Sequence, residues 1–390
     1  MTNRRKTNQP VTKSDDSAAE HALKISPANE LTQVHSIDPF SQHIKQLATA
    51  YQGQQIKADI RYKSSDFIVN ELLSFEPCGS GEHLFLQIQK TDCNTQWVIR
   101  HLQKTFQLTS KDVGYAGKKD RHSVSTQWFS LHLPGKEVDA HLLENEQLKL
   151  VGFIRHNRKL RVGSIKQNQF KLILRNLSAM PEPALIDKLM TNGVPNYFGA
   201  QRFGHQAKNL ALADKLFKQQ INIKNREKRS MAISSGRSFL FNLILSKRVA
   251  DKTWNQALDG DALNLAGSHS FFIQDKVSVK EQQRIDKGDL HICGTLLGNK
   301  ASEVSQLAKS LEEQVFSLYP EWRQGLQRLA VNTQMRAFRC MPKDFSYQQK
   351  DNQAQIEFSL DSGCYATSVL RELFDISDIA SERAQAAYQR

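Results

Sequence analysis

The chain has 390 residues and a formal net charge of +13. This length predicts two or three domains, and the excess of Lys and Arg favours a polyanionic partner such as nucleic acid, although many basic proteins bind none. The five cysteines are widely spaced and form no C-x-x-C pair, which argues against a disulfide framework and against a cysteine zinc site.

Several other classes of protein lack their usual signatures here. No apolar run approaches the roughly 18 residues of a membrane span, and the N-terminus has no apolar secretory region. There is no H-E-x-x-H and no Walker A sequence, and "CGSGEH" (78–83) lacks the third glycine of a dinucleotide site. We therefore expect a cytoplasmic protein without a membrane partner, a metal or a cofactor.

The first 50 residues are polar and show little periodicity, which predicts a disordered extension over 1–50. Beyond them, alternating apolar residues predict strands, and apolar residues spaced three or four apart predict helices. The predicted strands are 83–89, 126–133 and 170–175, and the predicted helices are 94–106 and 183–193. This mixture predicts an α+β fold around a mixed or antiparallel sheet.

Helical patterns dominate from 205 to 340, for example in 239–249 and 303–320. In 303–320 the predicted buried stripe consists of Val304, Leu307, Leu311, Val315 and Leu318. Strand character returns at 354–360, followed by a short predicted helix at 367–374. A helical middle between strand-rich ends suggests one domain inserted into another.

A long basic window lies between Glu146 and Glu182, where no acidic residue occurs. A second basic cluster is "KNREKR" (224–229). Scattered surface lysines are common, but a window of this length favours a phosphate-contacting surface. Its basic residues are Lys149, Arg155, Arg158, Lys159, Arg161, Lys166, Lys171 and Arg175.

Asp120 is the one carboxylate in "GYAGKKDRHSVSTQW" (114–128). Cationic neighbours keep a carboxylate ionised, which suits a nucleophile or a base. The alternative is an ordinary loop aspartate in ion pairs with Lys119 or Arg121, which contribute little in water.

The stretch "VPNYFGAQRFG" (194–204) combines three aromatic rings with an amide and an arginine. Tyr197, Phe198 and Phe203 could stack on an unstacked base, and Asn196 could hydrogen-bond to a base edge. The alternative is a tight turn anchored by aromatic core residues.

Together, these two stretches resemble the TruD family of tRNA pseudouridine synthases. Further segments fit that family in the same order. They are "SDFIVNEL" (65–72), "GEHLFL" (81–86), "CNTQWV" (93–98), "RHNRKLRVGSIKQNQF" (155–170), "DGDALNLAG" (259–267) and "GCYATSVLREL" (363–373). The resemblance covers about residue 55 to the C-terminus.

The resemblance implies a pseudouridine synthase core with a mixed, largely antiparallel sheet and flanking helices. The catalytic domain would comprise 51–221 and 341–390, and a mainly helical domain specific to the family would be inserted at 222–340. The implied reaction is isomerisation of uridine to pseudouridine in tRNA, at position 13 in the D arm for bacterial members. We expect a monomer that binds tRNA.

The resemblance also implies roles for individual residues. Asp120 falls on the catalytic aspartate, and Arg61 on a basic residue that pairs with it. Family members often have Phe at the position of Tyr365, whose hydroxyl therefore needs a partner. The implied substrate-binding residues are Phe67, Asn196, Phe198, Tyr365 and Arg61, and the RNA-backbone candidates are Lys119, Arg121, Arg155, Arg158, Lys159, Arg161 and Arg202.

Two other classes stay open at this point. A non-catalytic RNA-binding or RNA-chaperone protein would show the same charge and aromatic residues. A different RNA-modifying enzyme, such as a methyltransferase, is disfavoured because no glycine-rich loop lies between a strand and a helix.

Overall fold

The computed structural model of the protein describes residues 39–51, 56–268 and 270–388, which form the following elements. The strands are β1 (Lys57–Ile60), β2 (Phe67–Leu73), β3 (His83–Thr91), β4 (Val113–Tyr115), β5 (Val124–His132), β6 (Leu148–His156), β7 (Ile165–Leu174), β8 (Val194–Pro195), β9 (Asp261–Leu265), β10 (Phe271–Gln274), β11 (Leu290–Leu296), β12 (Gln334–Ala337), β13 (Arg339–Cys340), β14 (Lys343–Lys350), β15 (Gln353–Asp361) and β16 (Asp375–Asp378). The α-helices are α1 (Pro39–Lys45), α2 (Thr95–Thr105), α3 (Pro183–Asn192), α4 (Lys208–Phe217), α5 (Arg226–Ala250), α6 (Val279–Asp286), α7 (Gln306–Phe316), α8 (Pro320–Arg328), α9 (Ala366–Leu370) and α10 (Ile379–Tyr388).

The largest sheet in this part of the chain has eight strands, in the order β14-β15-β7-β2-β5-β3-β6 with β4 beside β5. Only β2 and β5 run parallel, and the other neighbours are antiparallel. This confirms the predicted α+β class with a mixed, largely antiparallel sheet. Because β2 and β5 are parallel, the residues that precede both strands lie at the same edge of the sheet.

The predicted elements of the first half are confirmed. In β3, Leu84, Leu86 and Ile88 alternate into the core and are buried. The Asn94 side chain caps α2 by accepting a hydrogen bond from the backbone N–H of Trp97 at 2.8 Å. Helix α3 begins with Pro183, as the proline near its start predicts.

The region 222–340 is mainly helical, as predicted, and also contains a sheet that was not predicted. It contains α5 to α8, but it also contains an antiparallel four-stranded sheet in the order β10-β9-β11-β12. Its central helix, α5, is buried on all sides from Phe239 to Leu245. A helix enclosed in this way has no polar face that would show which side meets solvent. Its mostly apolar sequence therefore indicates a buried helix but not which elements cover it.

Helix α4 precedes the predicted start of the insertion at residue 222 but shares the core of the inserted region. The ring of Phe217 in α4 contacts Trp322 of α8 edge to face, with centroids 5.4 Å apart. Strands on both sides of the insertion meet in the main sheet, where β7 pairs with β15. Helix α4 thus packs in the same hydrophobic core as α5 and α8.

The stripe predicted for 303–320 is partly wrong. Leu307 and Leu318 are 60% and 46% exposed. The helix spans only Gln306–Phe316, and Pro320 begins the next helix instead of following the end of a long one. The buried face of α7 therefore includes Ala308, Leu311 and Val315, which are spaced three and four residues apart.

The predicted disordered extension over 1–50 does not hold for its last residues. Helix α1 begins at Pro39, and the ring of Phe40 lies 5.5 Å from that of Phe239 in α5. Leu47 is buried in the same core. The rest of the predicted extension, residues 1–38, lies outside the described residues.

None of the described helices has the length and apolar content needed to cross a bilayer.

Candidate active site

Asp120 lies in the loop between β4 and β5, at the sheet edge where β2 also begins. Its main-chain carbonyl accepts hydrogen bonds from Lys90 Nζ at 2.7 Å and from Ser123 Oγ at 3.1 Å. Its side chain is 36% exposed. These hydrogen bonds thus fix the backbone of the loop, while the carboxylate of Asp120 remains accessible.

Lys119, next to Asp120, points into the protein. Its Nζ lies 2.6 Å from Glu71 Oε2 in β2, and its backbone N–H donates to Thr95 Oγ1 at 2.9 Å. Burial raises the pKa of Glu71, and the adjacent ammonium of Lys119 partly opposes that rise. Breaking such a buried pair typically costs about 3–5 kcal/mol. Lys119 therefore anchors the loop to Glu71 of β2, and its ammonium group is not exposed for contact with a phosphate.

Lys90 is a second buried cation below the loop. Besides Asp120, its Nζ donates to the carbonyl of Cys93 at 2.7 Å. Burial lowers the pKa of Lys90 to about 8, and the nearby charge of Asp120 acts in the opposite direction. Lys90 links the end of β3 to the loop that carries Asp120.

Arg61 forms the ion pair with Asp120 that the family resemblance implies. Its Nη2 lies 3.0 Å from Asp120 Oδ2, and its Nη1 pairs with Asp378 Oδ2 at the end of β16. The guanidinium lies over the Phe67 ring, 4.2 Å from its centroid. The side chain of Arg61 is only 5% exposed, so one buried cation joins two carboxylates.

Gln201 supplies a second donor to Asp120. Its Nε2 lies 2.8 Å from Asp120 Oδ2, the same oxygen that Arg61 contacts. Gln201 belongs to the short 3-10 turn Ala200–Phe203 within "VPNYFGAQRFG". The two stretches singled out in the sequence therefore meet at the carboxylate of Asp120.

A pocket opens beside Asp120, with aromatic and polar walls. Its lining residues are Arg61, Phe67, Val69, Lys118, Lys119, Asp120, Asn168, Phe170, Gln201, Ala366 and Thr367. Residues two apart on a strand share a face, so Phe67 and Val69 of β2 line the pocket together, as do Asn168 and Phe170 of β7. The rings of Phe67 and Phe170 meet edge to face, with centroids 6.2 Å apart.

Asn168 presents an unused acceptor in this pocket. Its Oδ1 is buried and has no hydrogen-bond partner among the described residues. A buried polar atom without a partner is costly, so a ligand donor at this position would be favoured. The pocket thus combines a carboxylate, ring faces and a free amide oxygen.

Asn196 and Phe198, predicted to bind substrate, do not line the pocket. The Asn196 amide donates to the carbonyl of Ala337 at 2.9 Å and accepts from Arg336 at 2.7 Å. The guanidinium of Arg336 also covers the Phe198 ring, 4.0 Å from its centroid. Other protein groups thus already occupy the Asn196 amide and this face of the Phe198 ring, and both side chains are buried.

Tyr365 lies at the border of the site. Its hydroxyl accepts a hydrogen bond from Arg202 Nε at 3.1 Å, which supplies the partner that the hydroxyl needs. The two residues that follow it, Ala366 and Thr367, line the pocket. Arg202 also donates to Ser234 Oγ at 3.2 Å, so its guanidinium is engaged within the protein.

Comparisons with known proteins identify the family to which the chain is similar. A family model described as "tRNA pseudouridine synthase D (TruD)" matches residues 44–223 and 207–373. A protein named tRNA pseudouridine synthase D from Hydrogenovibrio crunogenus is 38% identical over 337 residues, covering 85% of this chain and 97% of its own length. One of the same name from Methylococcus capsulatus is 41% identical over 320 residues, covering 81% and 90%.

The chain belongs to the tRNA pseudouridine synthase D (TruD) family. This is a family of isomerases, so the protein is an enzyme of that class. A crystal structure from Methanosarcina mazei, assigned to tRNA pseudouridine synthase D (TruD), superimposes with a TM-score of 0.64 at 20% identity. It covers 87% of this chain and 98% of that chain, and at this identity the likeness concerns the fold.

The basic residues predicted to contact RNA in this TruD protein fall into two groups. Arg155 donates to the carbonyl of Leu133 at 3.0 Å, and Lys159 Nζ donates to that of Lys111, so both are engaged within the protein. The exposed side chains of Arg158 and Arg161 make no hydrogen bond or ion pair with the described residues. Arg121 is also exposed and makes one long contact, 3.4 Å, with the carbonyl of Asp92.

The sequence predictions missed seven residues that line the pocket, namely Val69, Lys118, Asn168, Phe170, Gln201, Ala366 and Thr367. All seven belong to quoted stretches that resemble the family, so the signal lay in the stretch and not in the single residue. Asp378, the second partner of Arg61, lies beyond residue 373, where the family match ends. No motif pointed to it.

Among the described residues, no group of His, Cys, Asp or Glu is arranged to hold a metal ion.

Proposed function

We propose that this protein isomerises uridine to pseudouridine in tRNA, at position 13 of the D arm, and that Asp120 is its catalytic group. The observation that carries the proposal is an accessible carboxylate at a pocket with aromatic walls, in a chain of this family. The position-13 assignment is supported by the similarity of the quoted stretches to bacterial members.

The isomerisation of uridine requires a group that can attack carbon or accept a proton, and the pocket contains such a group in the Asp120 carboxylate. The C1′–N1 bond breaks and a C1′–C5 bond forms, while C5 loses a proton and N1 gains one. No electron donor and no transferred group take part. A carboxylate can act as a nucleophile at the sugar or at the uracil ring, or as a base that deprotonates the sugar. Asp120 is suited to each of these routes.

The substrate uridine must leave its helix to reach Asp120. Flipping a base costs a few kcal/mol, and stacking on an aromatic ring returns about 1–3 kcal/mol per base. We propose that the uracil stacks on Phe170, which is partly exposed, while Phe67 forms the wall beside it, and that Asn168 Oδ1 accepts from the N3–H group of the uracil. The aromatic role given to Phe198 from the sequence thus passes to Phe170, and that of Asn196 to Asn168.

The proposed function is tested with an unmodified tRNA transcript in buffer without added cofactor. We expect pseudouridine at position 13, mapped by chemical labelling and primer extension. The same tRNA with cytidine at position 13 should yield none. Absence of pseudouridine from both transcripts, with intact tRNA binding, would contradict the enzymatic assignment and favour a non-catalytic RNA-binding protein.

The loop between β6 and β7 is the phosphate-contacting surface that we propose next to the site. The backbone N–H of Gly163 donates to the carbonyl of Ala116 at 2.9 Å, which joins this loop to the loop of Asp120. Lys118 Nζ lies 2.6 Å from Glu227 Oε1 at the start of α5, which brings the basic cluster 224–229 to the same edge. We propose that exposed cations on both sides of the pocket contact the phosphates of the bound RNA.

Arg158→Ala combined with Arg161→Ala is expected to weaken tRNA binding and to flatten its salt dependence. Each lost phosphate contact reduces the slope of log K against log salt by roughly 0.7–0.9. The measurement is filter binding over a series of salt concentrations. Lys188→Ala with Lys280→Ala removes two exposed charges from α3 and α6 and is the matched control. Equal slopes for the two double variants would show that only net charge matters.

A further inference from the structure

The contacts of the Asp120 carboxylate are unequal between its two oxygens. Arg61 Nη2 lies 3.0 Å from Oδ2, and Gln201 Nε2 lies 2.8 Å from the same atom. Among the described residues, none donates a hydrogen bond to Oδ1. Two donors on one oxygen restrain rotation of the carboxylate about its last side-chain bond, because rotation breaks both contacts.

The Arg61 guanidinium and the backbone turn that carries Gln201 are themselves held in place. Arg61 is fixed by Asp378 and by the Phe67 ring, as described above. The turn that carries Gln201 is anchored at its end, where Phe203 is buried and the carbonyl of Arg202 accepts from Ser235 Oγ at 2.7 Å. The two donors reach Asp120 from separate parts of the chain, one from the end of β1 and one from the segment that leads into the inserted region.

From this geometry we infer that Gln201 is a positioning residue which, together with Arg61, holds Oδ2 and presents Oδ1 of Asp120 as the reacting oxygen. The inference rests on the proposed catalytic role of Asp120. It holds for each chemical route, because Oδ1 is the atom that would either bond to carbon or accept a proton.

The neutral amide of Gln201 suits this task better than a second cation. Arg61 already places a positive charge on Asp120, and Asp378 shares that charge. A second cation in contact with a carboxylate reduces its basicity and nucleophilicity. An amide N–H orients Oδ2 with a much smaller electrostatic effect. The Gln201 side chain is exposed and makes no other hydrogen bond with the described residues, so its removal leaves little else to disturb.

Gln201→Ala is expected to lower the single-turnover rate of pseudouridine formation by roughly 10- to 100-fold, as expected for a misoriented reacting group. The tRNA dissociation constant should stay close to that of the wild type, since affinity is spread over many contacts. Gln169→Ala is the matched control: Gln169 is exposed on β7, on the opposite face from Asn168 and Phe170, and its loss should leave the rate unchanged.

Gln201→Glu tests the same contact through the pH profile. This variant keeps the size of the side chain, but its carboxylate cannot donate and repels the charge of Asp120. The two carboxylates repel each other across this contact, so the acid limb of the single-turnover rate should move to higher pH. A loss of stability alone would lower the melting temperature and leave this limb in place.

The inference is overturned if Gln201→Ala stays within about two-fold of the wild-type rate, which is below the effect of a lost orienting contact. An unmoved acid limb in Gln201→Glu also counts against it. Asp120→Asn in the same assay separates the two proposals. If Asp120→Asn retains turnover, the proposed role of Asp120 fails; if only the Gln201 variants behave like the wild type, the positioning role alone fails.

Discussion

Asp120→Asn is expected to reduce pseudouridine formation below detection while tRNA affinity changes little. The amide can still accept from Arg61 and Gln201 through one oxygen, but it has neither the charge nor the nucleophilicity of a carboxylate. Affinity should persist because it is spread over phosphate contacts and stacked bases. The side chain is 36% exposed, so its replacement should disturb the fold little.

The measurement is single-turnover conversion of an unmodified tRNA transcript, paired with filter binding and thermal melting. Mass spectrometry must exclude deamidation of the variant back to Asp. Asp351→Asn is the matched control, because it removes an exposed carboxylate from a turn with φ +55°, a conformation that Asn tolerates. If Asp120 were an ordinary loop residue, the variant would lose some stability and keep its turnover. Substantial residual activity in folded Asp120→Asn would exclude the catalytic assignment.

Truncation after residue 345 is expected to abolish cooperative folding of the remaining chain. It removes β15, which pairs with β7 along Ala354–Asp361 and lies inside the main sheet. The large buried apolar side chains lost are Ile356, Phe358, Leu360, Val369, Leu370, Leu373 and Phe374. At about 1.5–3 kcal/mol for each buried side chain, their loss totals roughly 10–20 kcal/mol. The usual stability of a protein is about 5–15 kcal/mol, so a loss of this size removes most or all of it.

The lost segment also holds the N-terminal part of the chain. The Glu372 carboxylate accepts from the backbone N–H groups of Ala50 and Tyr51, and β16 pairs with β1. Denaturant melting of chain 1–345 should therefore show no sharp transition. A full chain cut in the β14–β15 turn, with both pieces retained, keeps every strand and serves as the control. A cooperatively melting 1–345 chain would mean that the catalytic domain does not depend on its C-terminal strands.

The sequence alone determined the fold class, many of the elements and the loop of Asp120. These features depend on local information. Alternation in 83–89 and the cap at Asn94 specify a strand and a helix through contacts between near neighbours. The family resemblance added the reaction class. The resemblance depends on several stretches in a fixed order, so a misassigned residue in one stretch does not change the family.

The sequence could not decide which aromatic and amide residues face the pocket. Both Asn168–Phe170 and Asn196–Phe198 have the pattern Asn-x-Phe, and both lie in family-like stretches. The choice between them is made by partners far away in the chain. Arg336 engages the Asn196 amide and a face of the Phe198 ring, whereas Asn168 and Phe170 lie on the strand face that lines the pocket.

The side chains that surround Asp120 were also evident only from the tertiary structure, because their partners lie in distant segments of the chain. Glu71 turns Lys119 inward, and Asp378 holds Arg61 from a strand more than three hundred residues away in sequence. Gln201 reaches Asp120 across 81 positions of the chain. Local pattern specifies which residues form a strand or a loop, but the direction and partner of a charged side chain depend on which distant segments pack beside it.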